Sequence, residues 1–566
     1  MKKTAFLGLI FVAFLFSCNR HKTTDLSYII SPFLKDNIPM LKIQMSFKAD
    51  PSGITKLKYQ NNAWGEENIY NCIESMQLSQ IQGKITQNKD SSWIEIQHPK
   101  NIDSLQFEYT LKQDIKDAIG AGNRYRPIIN STYFHVFSHN LFMFPKHISN
   151  NDKEHLNIKL NWNDFPEDYT IHNSFGSKKK EQLINDITEE EFLTAVFLGG
   201  DFRTYTSSIN NNDVVLAIRG DWIPFEDDTI MKLLTKTVQS QRDFWQDHSQ
   251  KYFTVTMMPI AQERGSSFGG TGLTNSFATV VSNNKETSID QLVYLFNHEL
   301  MHNWTGHVIK NQNEEEQYWF SEGFTEYYTF KNITSNKILN FDKKYFIDQM
   351  NENIKNLYNS PVGEKPNSEI TYDNFWSDRH YSKLPYYRGA LFAFVLDLKI
   401  QKDSNGDKSL NHAMRDFYGA AVHQDQRINS DFFIKTINKY TKDDITAFFD
   451  KHILKGELID LAKIYNEFNL QYEPISEVFD LGFTYDNAKN EITTVDNTSA
   501  AYKKGIRVDD KLISRSIYYG RTDKKVDLIV LRNGEEIEIS YYPVKKIPLP
   551  RLHQSQENKD VLKFNT

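Results

Sequence analysis

Residues 298–306 read His-Glu-Leu-Met-His-Asn-Trp-Thr-Gly. On a helix His298 and His302 are i and i+4, stacked on one face. Two imidazoles so placed can hold one Zn²⁺ at about 2.0–2.1 Å each. Glu299 is turned aside from them, as a base that takes a proton from water must be. The pattern arises by chance in roughly a few per cent of chains this long, so it needs company. A catalytic zinc needs a third protein ligand and an open position. Glu322, in YWFSEGFTEYY, has the chemistry to complete a His₂Glu set. Glu326, one turn on, either accepts from a ligand's ring N–H or is an ordinary solvated helix glutamate. Further along, HYSKLPYYRGALF places Tyr381, Tyr386 and Tyr387 before an apolar helix. A tyrosine hydroxyl near the metal could donate to an oxyanion, although with 29 tyrosines in the chain packing is the plainer role.

These residues need elements to carry them. Ser288 followed by Gln291 three positions later is a capping box, so the spacing predicts a helix starting at 289. Leu292, Leu295, Phe296, Met301 and Trp304 give it an apolar face, and Gly306 is placed to end it. Upstream, MLKIQMSF, ITKLKY, SSWIEIQ, SLQFEYTL and LNIKLNW alternate apolar and polar residues and predict strands. The expected organisation is a multidomain α+β chain. A β-rich domain at 28–176 leads through the lysine-rich SKKKEQ, read as a solvated linker, to a mostly helical catalytic domain at 185–465. A small β domain at 474–547 and a loosely ordered tail at 548–566 follow.

Lys2 and Lys3 precede an apolar run from Ala5 to Phe16, and Cys18 follows. This reads as an export signal over 1–17, too short to span a membrane. LFSC is similar to the lipobox of bacterial lipoproteins, which implies lipidation of Cys18, an anchored linker over 18–27, and a cell-envelope location facing the periplasm or the surface. Cys72 is then a lone thiol, so core burial must replace disulfides. The 566 residues are 39% hydrophobic, enough for large cores. A net charge of −7 with no dense basic run argues against nucleic acid as a partner.

HELMHNWTG with WFSEGFTEYY resembles the gluzincin metallopeptidases. The WTG after the second histidine and HYSKLPYYRG are similar to the aminopeptidase N and leukotriene A4 hydrolase family. That resemblance implies Tyr386 as oxyanion stabiliser, with Tyr381 as a nearby helper. The interval from His302 to Glu322 is one residue longer than usual there. The overall plan is similar to the glycyl aminopeptidase family: a β-rich N-terminal domain, a thermolysin-like catalytic domain and a C-terminal PDZ domain. In the last of these LGF at 481–483 stands for the carboxylate-binding loop, and Asp509 replaces the usual glycine. In these families a glutamate beside the zinc grips the substrate's free amine. Here GGTGLTNSF offers Gly272, Thr274 and Asn275 for substrate binding, with Thr274 at the glutamate's place. The resemblance implies one Zn²⁺ and hydrolysis of peptide or protein substrates, with aminopeptidase specificity called into question by Thr274. The alternative is a lipid-anchored peptide-binding protein on a degenerate peptidase fold. Loss of the amine anchor favours it, and retention of ligands, base and tyrosine opposes it.

Overall fold

The alternating segments fold as strands. In the computed structural model Ile38–Lys48, Ile54–Lys58, Trp93–Gln97, Ser104–Lys112 and Leu156–Trp162 are all extended. In Ile38–Lys48 the residues Met45 and Phe47 face the core while Gln44 and Ser46 are exposed, as period-2 alternation requires. The structure describes residues 24–563 apart from 80–81, 89–91, 117–119, 121, 150–153 and 178–179. Residues 1–17, read above as an export signal, and Cys18 lie outside the described residues. Among those described, no helix is long and apolar enough to cross a membrane.

The chain divides into two compact units. The first contains residues up to Ile223 and Gln250–Thr287. A six-stranded sheet runs Glu181–Ile187, Leu156–Trp162, Leu26–Lys35, Ile38–Lys48, Ser104–Lys112, Ile73–Leu78 in spatial order. It shares one core with a four-stranded and a five-stranded sheet, built on residues such as Tyr28, Tyr109, Phe142 and Phe197. Glu181 and Gln182, expected in a linker, begin an edge strand instead. Gln182 is buried there because its amide exchanges hydrogen bonds with Asn173.

A last sheet in this unit is mixed, in the order Arg203–Ile209, Asn212–Ile218, Tyr252–Ile260, Ser276–Ser282, Phe268–Leu273. Its edge strand is Phe268–Leu273, antiparallel to Ser276–Ser282.

The second unit contains Pro224–Ser249 and everything from Ser288. Those of its helices that bear on the site are α1 (Asp227–Trp245), α2 (Ile289–Met301), α3 (Glu314–Ser321), α4 (Gly323–Ser335), α5 (Arg379–Asp403) and α6 (Leu410–Gln424). Every residue of α4 from Gly323 to Thr334 is buried, polar ones included. Burial of that kind demands partners. Lys331 finds Asp397 of α5 at 2.7 Å and Asn411 of α6 at 2.8 Å.

Beyond the helices, Phe483–Asp486, Glu491–Val495, Lys511–Ser516, Val526–Arg532 and Glu535–Tyr541 form an antiparallel sheet over its own small core. Asp509 takes φ +67°, the left-handed conformation that glycine adopts freely and aspartate tolerates. The segment after 547 is not loose. Leu549, Leu552 and Leu562 join the helical core, and the fully buried Asn558 bonds both the N–H and the carbonyl of Gln471.

Candidate active site

α2 begins as its capping box predicts: the Gln291 side chain accepts from the Ser288 N–H at 3.0 Å. It ends earlier than the glycine suggests. The last helical residue is Met301, and His302 is the C-cap. The chain then tightens into turns, with the Trp304 and Thr305 N–H groups both reaching the Met301 carbonyl at 3.0 Å. Gly306 stands beyond, at φ +108°, bonding Ile309. The tightening has a use: it brings the Thr305 carbonyl to the His302 Nδ1 at 2.9 Å.

Asn297, one residue before His298, fixes α2 in place. Its side chain donates to Thr237 of α1, and it accepts from Asn332 of α4 at 2.7 Å. Glu322 sits where α3 stops and α4 starts, capping one helix and opening the other. This junction turns its carboxylate toward the two histidines.

The Nε2 atoms of His298 and His302 each lie 3.5 Å from the same Glu322 oxygen, Oε2. One donor atom from each of the three residues falls within 4.8 Å of the others. Ligands about 2.1 Å from a shared ion at tetrahedral angles stand about 3.4 Å apart, so the spacing fits zinc. The buried Oε2 has no hydrogen-bond partner, a cost that a cation in the middle would remove. The far sides of both rings are taken. His298 Nδ1 donates to Glu326 Oε2 at 3.1 Å and His302 Nδ1 to the Thr305 carbonyl, which turns both Nε2 atoms inward. Glu326 is therefore no solvated residue. It is buried and also accepts from the Tyr294 hydroxyl at 2.6 Å.

The electrostatics favour positive charge at this centre. Burial opposes charging His298, but the carboxylates of Glu322 and Glu326 outweigh it and push its pKa up to about 10. Burial alone would raise the Glu322 carboxyl; the two imidazoles hold it well below the ordinary range.

Tyr386 of α5 stacks on His298 with ring centroids 5.5 Å apart, almost parallel at 13°. Burial first, and then the Glu322 carboxylate, push its hydroxyl well above the usual tyrosine value, so it is a proton donor at neutral pH. Glu299 is half-buried on α2, and its charge acts on His298, His302 and Tyr386. Tyr381 is elsewhere engaged: its hydroxyl donates to Glu369 at 3.3 Å.

Glycine brings the two helices together. A Cβ on Gly389 would lie 1.9 Å from the Trp319 carbonyl, and one on Gly323 would lie 2.3 Å from the Gly389 Cα. Only hydrogens fit between these backbones, and this close crossing sets Tyr386 against His298.

In the other unit the GGTGLTN segment is a strand as far as Leu273. Thr274 and Asn275 form the hairpin turn, since Leu273 pairs with Ser276. Asn275 has φ +50°, which asparagine tolerates in turns. Gly272 has nothing within 4 Å of a would-be Cβ, whereas Gly270 is packed under the Phe277 ring.

Sequence reading missed Tyr294, Asn297 and the Gly323–Gly389 pair. Tyr294 could have been found, because it stands one turn before His298 on the same helix face.

Residues 270–452 match the sequence model of the peptidase family M1 domain. That stretch is similar to a peptidase domain, and it holds His298, His302 and Glu322, a group that could bind a metal ion. An aminopeptidase N family protein from Idiomarina loihiensis has a similar fold, with a TM-score of 0.68 at 16% identity over 95% of this chain and 100% of that one. More distant are an M1 zinc metallopeptidase variant from Deinococcus radiodurans (TM-score 0.44, 10% identity, 77% of this chain and 95% of that one) and native yeast LTA4 hydrolase (0.43, 12%, 77% and 68%). No curated protein matches the sequence.

Proposed function

We propose that this chain hydrolyses peptide bonds of polypeptides at the His298–His302–Glu322 centre, and that it does so from a lipid anchor in the cell envelope. One observation carries the site: two inward Nε2 atoms, each 3.5 Å from an unpartnered, buried carboxylate oxygen. Zinc bound there supplies a positive centre that acidifies water and polarises a carbonyl. The remaining work falls to side chains. Glu299 takes the proton from the attacking water and returns it to the leaving amine nitrogen. Tyr386 donates its hydroxyl hydrogen to the carbonyl oxygen as charge builds there. Glu326 and Thr305 fix the two imidazoles so that neither ring must reorient.

The substrate backbone pairs along the edge strand Phe268–Leu273, where unpaired backbone groups can accept one more strand. A protonated amine beside a metal cation requires a carboxylate, and Thr274 supplies none. Strict aminopeptidase action is therefore not part of the proposal, and blocked N-termini are acceptable substrates. For the sheet at 474–547 we propose a PDZ-like module that packs rather than binds chain ends. In its loop the Gly482 N–H is already taken by Asp480 Oδ1 at 2.9 Å, which leaves one donor fewer for a terminal carboxylate.

The test is metal analysis of the purified protein together with cleavage of a mixed peptide library by wild type and Glu299→Gln. About one zinc in both, with cleavage only by the wild type, is expected. A folded protein that takes up no zinc, or a fully active Glu299→Gln, overturns the reading.

A further inference from the structure

The first unit holds a second built site that the hydrolytic residues do not use. His139 is only 8% exposed, yet neither ring nitrogen has a hydrogen-bond partner. A buried imidazole with both nitrogens unpaired is costly, which marks this corner of the unit as built for something other than stability. Burial lowers its pKa to about 4, so it is neutral and keeps one acceptor nitrogen. It lines a cavity of about 340 Å³.

Over its ring lies Trp64, with centroids 4.1 Å apart. Trp64 is an unlikely residue for its position. It has φ +55° and is followed by Gly65 at φ +81°, in a tight turn closed by paired backbone bonds between Ala63 and Glu66. A bulky side chain in that conformation is strained by roughly 1–3 kcal/mol, and such strain clusters at ligand sites. The residue is also 38% exposed.

The cavity's charged residues are Lys58, Glu189 and Glu190. Lys58 neutralises Glu189 at 2.9 Å. Glu190 is exposed and has no ion-pair partner among the described residues, so one carboxylate is in excess. An aromatic face and a free carboxylate together suit a cation, with the His139 ring packed behind Trp64.

The cavity also adjoins the strand proposed to hold substrate. Thr194, on its wall, accepts the Thr274 N–H at 2.8 Å, and Tyr125, edge-on to Trp64, bonds Thr271 at 3.2 Å. We propose that the Trp64–His139–Glu190 cavity is a specificity pocket for a basic side chain, lysine or arginine, of the polypeptide lying along Phe268–Leu273. This rests on that strand's role in the proposed peptidase reaction.

Binding rather than turnover tests it, in the Glu299→Gln background. Acetylated alanine hexapeptides carrying a single lysine or norleucine, scanned through the positions, are titrated by calorimetry, with free N-terminal versions alongside. At one position lysine should bind roughly 3- to 10-fold more tightly than norleucine, the range of one cation–π contact with one carboxylate. Glu190→Gln and Trp64→Ala should each erase that ratio. Equal binding of the two peptides, a lysine preference that survives Glu190→Gln, or a gain that follows the free N-terminus instead of lysine would overturn the pocket. Loss of the peptidase reading shows separately, as absence of zinc or of cleavage by the wild type.

Discussion

Glu326 does for His298 what the Thr305 carbonyl does for His302: it binds the outer nitrogen and so aims the inner one. A carboxylate in this role also raises ligand basicity. Glu326→Ala should therefore lower zinc affinity by roughly 10- to 100-fold while the fold persists, as read by competition with a chelator. Tyr386→Phe should keep its zinc and lower kcat more than it raises KM, because the oxyanion forms only on the way to the transition state. At Thr274 the expected finding is that acetylated and free forms of one peptide are cut about equally, and that Thr274→Glu shifts preference to the free form. A wild type that strongly prefers the free amine would restore a strict aminopeptidase.

The helices meet through contacts that no single residue reveals. Gly389 lets α5 touch α3 and α4 backbone to backbone. Gly389→Ala should cost about 1–3 kcal/mol in unfolding free energy, by overpacking, and should depress activity through displacement of Tyr386. The second contact is the Lys331–Asp397 pair between α4 and α5, with Tyr327 also donating to Asp397 at 2.5 Å. Burial would raise the Asp397 carboxyl, but Lys331 outweighs it and holds the pKa low. A carboxyl depressed on folding contributes stability that is complete above its unfolded value, about 3.9, and lost as pH falls through the folded one. Asp397→Asn should thus cost about 3–5 kcal/mol at neutral pH by stranding the ammonium, and the gap from wild type should close in acid. Thermal unfolding of both proteins across a pH series measures this.

At the scale of the chain, the C-terminal segment is structural. Deleting 548–566 would expose the surfaces that Leu549, Leu552 and Leu562 cover, each worth about 1.5–3 kcal/mol. The truncated protein should unfold at a distinctly lower denaturant concentration. Anchoring is the other prediction at this scale. Under the proposed lipid anchor, replacing Cys18 by Ser should shift the protein out of the membrane fraction on cell fractionation, because the attached acyl chains are what hold it there.

The sequence by itself determined the chemistry and the local elements. HExxH spacing depends only on helix pitch, so the shared face of His298 and His302 was legible, as was the capping box at Ser288. Strands with one buried face announced themselves by alternation. The tertiary structure decided what depends on partners far along the chain. Glu326 could be told from a solvated glutamate only once His298 and Tyr294 closed on it, and Tyr381 turned out to serve Glu369. Gly306 signals a turn without saying where the helix yields to it. The tail reads as loosely ordered because its partners lie far along the chain, as where the Leu552 N–H donates to the Asn351 side chain 201 residues away. The cavity beneath Trp64 joins residues from 58 to 194 that share no periodicity. Local pattern records the geometry of one element, whereas burial and pairing across elements are settled only when the chain packs.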